Sequence, residues 1–238
     1  MVTKLNIKGY QVHLAENKEA QTLTYMIYPG LEQLEDKWLA RMALLHNINV
    51  AIIYVPAEDW NNVLTPWPEP PEAKGFDPFD GEASKFLEFL QKEIIPAVES
   101  KVKITDRDLL GVSLSGLFTL WQWMVCDTFH NMASLSGSFW YKGFVEWFDG
   151  KVTSLSVDRP GESGHKGKAY FLLGEEEPKA KIQAYQSVGE NTLHIVEKLK
   201  QSGIEVTFEW VPGNHFSRPV HRAEKALDNL YGVQKLSE

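Results

Sequence analysis

The sequence has little cysteine, no long apolar run and no surplus of positive charge. Cys126 is the single cysteine among 238 residues, so no disulfide can close within the chain and no thiolate zinc cluster can be assembled. No uninterrupted apolar stretch approaches the ~20 residues of a membrane-spanning helix. Lysine and arginine total 24 against 32 aspartates and glutamates, a formal net charge of −8, and no basic cluster stands out. That balance argues against nucleic acid and anionic membrane surfaces as partners. The seven histidines show no His-Glu-x-x-His spacing, and neither a metal nor an organic cofactor is implied. The opening MVTKLNIKGYQVHL alternates polar and apolar residues, without the apolar core or small-residue cleavage site of a secretory leader, and the expected location is cytoplasmic.

What is present suits a folded domain. Apolar residues make up 43% of the chain, enough for a sizeable core, and the length fits one α/β domain over residues 1–238. Strand-like and helix-like segments alternate. LTYMIYP (23–29), NVAIIYVP (49–56), DLLGVS (108–113), MASLSGSF (132–139), KAYFLLG (168–174) and EVTFEWVPG (205–213) read as strands. Helical spacing marks 34–47, 82–100, 115–126, 187–203 and 221–232, with Gly203 as a stop signal. The alternation predicts a mostly parallel central sheet flanked by helices on both sides. The stretch 6–16 alternates more strictly and is expected to form an antiparallel edge strand. Residues 58–81 carry five prolines and four large aromatics, which predicts a long packed loop without regular helix or sheet.

The chemistry centres on GVSLSG (111–116), between a strand and a helix. A nucleophile on such a sharp turn needs small residues two positions before and after it, and Gly111 and Ser115 occupy those places around Ser113. Ser113 is the candidate nucleophile, and the Leu114 amide at the helix start can donate to a developing oxyanion. A serine needs a base and an orienting acid. His215 lies in the loop after the last strand, where Gly213 and Asn214 allow the chain to turn. The acid belongs after the preceding strand, where GEEEPK offers Glu175, Glu176 and Glu177; Glu177 is favoured and Glu175 is second. A further oxyanion donor is sought in YPGLEQ, at Gly30 or Leu31. Trp67, Trp140, Tyr141 and Phe216 sit in segments expected to border a substrate pocket, where aromatic walls suit aryl, catecholate or sugar esters.

Taken in order, LTPWPEPP, FDGEASKFLEFLQKEIIPAVE, GVSLSGLFTL, ASLSGSFWY, YFLLGEEEPKAK and WVPGNHF resemble the small esterases of the α/β-hydrolase fold that include enterochelin and bacillibactin esterases, with esterase D more distant. The resemblance runs from about Tyr28 to the last helix. It implies an α/β-hydrolase fold, and at 238 residues no separate lid domain is expected. It also implies a serine esterase in which Ser113, His215 and Glu177 form the triad, with the amides of Leu114 and of Gly30 or Leu31 as the oxyanion hole. The implied partner is a small-molecule ester of aryl, sugar-acyl or siderophore type, and self-association into a homo-oligomer is left open. Three departures from the pattern stand out: Ser115 replaces a glycine, YPG replaces Asp-Gly, and Asn61 and Asn62 stand where siderophore esterases often carry arginine. Acyl transfer on the same scaffold, a peptidase of the same fold and a catalytically silent binding protein are the alternative functions.

Overall fold

The computed structural model describes residues 2–30, 34–157 and 167–234, with backbone alone over 154–157. The chain opens as a hairpin in which β1 (Val2–Ile7) pairs antiparallel with β2 (Tyr10–Ala15). The edge strand expected over 6–16 is therefore two strands. Lys8 and Gly9 both take positive φ, 50° and 98°, and make a two-residue turn whose twist matches the strands it joins.

The chain then runs through β3 (Thr22–Pro29), α1 (Asp36–Leu45), β4 (Asn49–Val55), α2 (Trp60–Val63), β5 (Pro68–Glu69), β6 (Phe79–Asp80), α3 (Ala83–Phe89), α4 (Ile95–Glu99) and β7 (Asp106–Val112). It ends with α5 (Leu114–Val125), β8 (Met132–Leu135), α6 (Phe144–Val157), β9 (Ala169–Gly174), α7 (Val188–Gln201), β10 (Val206–Val211) and α8 (Pro219–Tyr231). Eight strands form one sheet in the order β1-β2-β4-β3-β7-β8-β9-β10. β2 meets β4 antiparallel, and every neighbouring pair from β4 to β10 is parallel.

Burial explains the continuous apolar strands. All seven residues of β4 and all six of β9 are buried, because helices cover both faces. Alternate residues of β3 point opposite ways: Leu23, Tyr25 and Ile27 join a core with α5 and α7, while Met26 and Tyr28 pack with α1 and α8. Helix α5 is buried over all but its last residue and runs through the larger core. Among the described residues, no helix is long and apolar enough to cross a membrane.

Three local expectations differ from the structure. The segment 58–81 contains α2 and the two-residue pair β5–β6, with Pro68 opposite Asp80. Of the stretch 82–100, residues 83–99 are helical, but a π-turn over Leu90–Ile94 separates α3 from α4. Pro96 has no N–H and its ring would strike the carbonyl of residue 92, so the backbone widens just before it and Ile95 N–H donates to Leu90 O. Strand β8 stops at Leu135 because Ser136 takes φ 50°, which turns the chain out of the sheet.

The sheet positions the site. Strands β7, β8, β9 and β10 are parallel neighbours, and their carboxyl ends lead into Ser113, Ser136, the Glu175–Glu177 turn and His215 respectively. Ligands of open α/β sheets bind at this edge.

Candidate active site

Ser113 occupies the bend between β7 and α5 with φ 58° and ψ −124°, a conformation side chains rarely adopt. The neighbours permit it. A Cβ on Gly111 would lie 2.1 Å from the Ser115 carbonyl oxygen, and one on Gly116 would lie 2.9 Å from Gly137 Cα. The bend is also pinned by hydrogen bonds: Ser113 N–H donates to Leu135 O at 3.0 Å, and Ser113 O accepts from Ser138 N–H at 3.1 Å. Ser115, the departure from glycine, is fully buried and has its own partners. Its Oγ accepts from Val112 N–H at 2.7 Å and lies 2.7 Å from Ile27 O, tying the elbow to β3.

The structure brings Ser113, His215 and Glu177 together. His215 Nε2 is 3.0 Å from Ser113 Oγ, and His215 Nδ1 is 2.9 Å from Glu177 Oε2. A carboxylate accepts, so Nδ1 carries the proton and Nε2 is left to accept from the serine hydroxyl. The loop holding the imidazole is tightened by Asn214 N–H donating to Ser217 Oγ at 2.9 Å, with Gly213 at φ 104°. Of the three glutamates, only Glu177 is buried; Glu175 and Glu176 face solvent.

The second oxygen of Glu177 is fully engaged. Oε1 accepts from Gly174 N–H at 2.7 Å, Ser136 Oγ at 2.6 Å and Arg222 Nη1 at 2.9 Å. Arg222 Nη1 also bonds Ser136 Oγ, and Nη2 donates to Asn214 O at 2.6 Å. Burial is the largest single influence on this carboxyl and pushes its pKa up. The hydrogen bonds and charge from His215, with the bonds from Ser136 and Gly174, outweigh it and hold the group below its ordinary value. Arg222 was not singled out from the sequence. The signal was there: it shares the apolar stripe of α8 with Ala223, Ala226, Leu227 and Leu230 and is only 2% exposed. A charge on a buried helix face needs a buried partner.

The oxyanion donors are placed unequally. Leu114 is the first residue of α5, so its N–H has no carbonyl four residues back within the helix and sits at the positive end of the helix dipole. The Gly30 amide is a correction: its N–H donates to Val55 O at 2.8 Å, continuing the pairing of β3 with β4, and is not free for a substrate. Leu31 lies outside the described residues.

A cavity of about 830 Å³ opens over Ser113 and His215. Trp140 and Phe216 line it; Trp67 and Tyr141 do not. Tyr141 is buried, its hydroxyl donating to Trp67 O at 2.6 Å, and Trp67 packs on Phe144 and Trp147 with its Nε1 donating to Lys142 O at 3.0 Å. These two rings brace the proline-rich segment against α6. The cavity instead takes Trp60, Phe76 and Phe79, which the sequence marks only as rings of a packed loop, and Tyr185, which no local pattern marks.

A family model described as Putative esterase matches residues 17–221. The chain belongs to the Putative esterase family. Family membership makes it an esterase, and Ser113 stands at the bend between β7 and α5. This esterase is 25% identical over 196 residues to Uncharacterized protein YbbA of Bacillus subtilis (strain 168), covering 78% of this chain and 75% of that one. Among solved structures, siderophore hydrolase EstB from Aspergillus nidulans superposes with a TM-score of 0.77 at 17% identity, over 98% of this chain and 94% of that chain. The Enterobactin and Salmochelin Hydrolase IroE matches with a TM-score of 0.66 at 20% identity, over 98% and 94%. A ferulic acid esterase matches with a TM-score of 0.61 at 12% identity, over 98% and 95%. Together they show the α/β-hydrolase fold.

Proposed function

We propose that this esterase hydrolyses a small soluble carboxylic ester through a Ser113–His215–Glu177 triad. The observation that carries this reading is the unbroken series from Ser113 Oγ to His215 to Glu177, 3.0 Å and 2.9 Å, opening into the cavity. Ser113 Oγ attacks the ester carbonyl as His215 Nε2 takes its proton. Glu177 remains ionised and stabilises the imidazolium. The tetrahedral oxyanion is held by the Leu114 amide, and the second donor falls to the Leu31 amide. His215 then protonates the leaving alcohol, and water repeats the sequence on the acyl-enzyme.

The rings of Trp140 and Phe216 suit an aryl or sugar-acyl ester. Siderophore hydrolases and a ferulic acid esterase share the fold, which keeps siderophore-type and aryl esters in the same class of substrate. A lone Cys126 suits a reducing compartment such as the cytoplasm.

Fluorophosphonate labelling tests the nucleophile. Wild type is expected to label and Ser113→Ala not, with the variant's turnover of an aryl ester down by about 10⁴-fold or more. Equal labelling of both proteins, or of neither, overturns the assignment.

A further inference from the structure

We infer that the active-site cavity selects esters bearing a cationic group, of the alkylammonium class, over esters bearing an anionic one. The inference rests on the esterase reading above and concerns only what that site accepts.

Charge comes first. Among the described residues, and apart from Glu177, which Arg222 offsets, the cavity is lined by the carboxylates of Glu72, Asp77 and Glu176 against a single cation, Lys181. Among the described residues, none of these three carboxylates sits in an ion pair, whereas nearby Glu69 is matched by Lys142 at 3.5 Å. Glu72 and Asp77 belong to an acidic segment, since residues 58–81 hold six carboxylates and one lysine, and Glu176 comes from the turn after β9. A second depression of about 470 Å³ shares Trp60, Asn61 and Asp77 with the cavity and adds Glu58 and Asp80, so the negative field continues past the mouth. Low-dielectric walls bearing one sign of charge raise the local concentration of the opposite ion and repel like charges.

The aromatic groups supply the second half of a cation site. The Trp140 and Tyr185 rings lie 4.5 Å apart, and Tyr185 Oη donates to Glu72 Oε1 at 3.2 Å. A carboxylate is thus held at the edge of a ring pair, so an ammonium over the rings meets both a π face and a counter-charge. Burial, then the charge of Glu72, pushes the Tyr185 hydroxyl up to about 12, so it stays a neutral donor.

A third feature points to a ligand independently of the acids. Ser138 lines the cavity and is 1% exposed, and its Oγ has no hydrogen-bond partner among the described residues. Its own N–H is on the Ser113 carbonyl at 3.1 Å, which sets the residue beside the nucleophile's backbone. Buried hydroxyls are normally satisfied, and here a polar group of the substrate is what would satisfy it.

Matched esters test the inference on the purified wild-type protein. The butyrate esters of choline, of 3,3-dimethylbutanol and of 2-hydroxyethanesulfonate carry positive, neutral and negative groups of similar size. The p-nitrophenyl esters of 4-(trimethylammonio)butyrate and of 5,5-dimethylhexanoate place the same contrast on the acyl side. In at least one series kcat/KM is expected to favour the cation over its neutral isostere by about tenfold. The sulfonate is expected to be the poorest, and the spread to narrow between about 20 mM and about 0.5 M salt. Glu72→Gln is expected to cut the cation-to-neutral ratio about fivefold. Equal rates for cation and neutral isostere in both series, or a preference for the sulfonate, overturn the inference while a fluorophosphonate-labelled Ser113 leaves the esterase reading intact. Failure of labelling together with no turnover of any ester removes both.

Discussion

Arg222 bonds the acid and the histidine loop with one side chain: Nη1 on Glu177 and Ser136, Nη2 on the Asn214 carbonyl, one residue before His215. A guanidinium is suited to this because its fork is rigid and always charged. It acts as a positioning residue, through Glu177 and the loop. Arg222→Met is expected to lower kcat by about 10- to 100-fold and to move the acid limb of the kcat/KM profile to higher pH, since a cation beside a carboxylate favours its ionised form. Arg222→Lys keeps the charge but not the fork and should recover only part of the loss. An acid limb at the wild-type position in Arg222→Met would show that Arg222 only supports packing. The same scale separates the glutamates. Glu177→Gln is expected to cost about a thousandfold or more in kcat, because the amide no longer enforces the tautomer of His215, while Glu175→Gln, facing solvent, should change little. Steady-state kinetics on the two variants decides between them.

At the scale of elements, the elbow shows how a departure from a sequence pattern is absorbed. Ser115 stands in a place usually kept for glycine, and its hydroxyl reaches both Val112 N–H and Ile27 O. Ser115→Ala removes a buried group with several partners and is expected to destabilise the fold by ~1–3 kcal/mol, read from denaturant unfolding. Helix α8 is anchored similarly at its far end: Tyr231 Oη donates to the buried Asp108 at 2.5 Å and lies 2.7 Å from Thr24 Oγ1. Elements with an unbroken period were legible in the sequence, β4 and α7 among them. Helix α6 was not, although Phe144 and Phe148 lie four apart and are fully buried. Gly143 and Gly150 punctuate that stretch, and glycine reads locally as a break.

For the whole molecule, two buried carboxyls respond to pH in opposite senses. Burial pushes Asp108 up and outweighs the hydrogen bonds it accepts from the Tyr231 hydroxyl and the Asn131 N–H. Glu177 is held down against its burial by the hydrogen bond and charge of His215 and by the bonds from Ser136 and the Gly174 N–H. The signs follow. A depressed carboxyl contributes stability that is fully present above its unfolded pKa, about 4.3, and is lost as pH falls through its lower folded value. A raised carboxyl does the reverse, and its ionisation opposes folding as pH rises past its unfolded pKa of about 3.9. Urea midpoints between about pH 7 and about pH 3 are expected to fall on the acid side, and to fall less steeply in Glu177→Gln. An unchanged slope in that variant would mean that its carboxylate contributes no net stability. The overall charge of −8 adds self-repulsion at neutral pH and favours solubility there over the region near the pI of 5.4.

Local chemistry was enough to determine the elbow, because Gly111, Ser113 and Ser115 fall within five consecutive residues and only small residues tolerate that turn. It was also enough for the parallel sheet, whose apolar runs are local too. Tertiary structure decided the rest. Which of three consecutive glutamates turns inward, where the Arg222 guanidinium reaches and which aromatic rings face the cavity depend on contacts between residues dozens of positions apart. Glu177 and His215 are 38 positions apart, and Ser113 and His215 are 102 apart. The Gly30 amide shows the same division: its residue type allows it to face a substrate, but the neighbouring Val55 carbonyl takes its hydrogen. Spacing along a chain constrains what a residue can do nearby, and only packing fixes which distant group it meets.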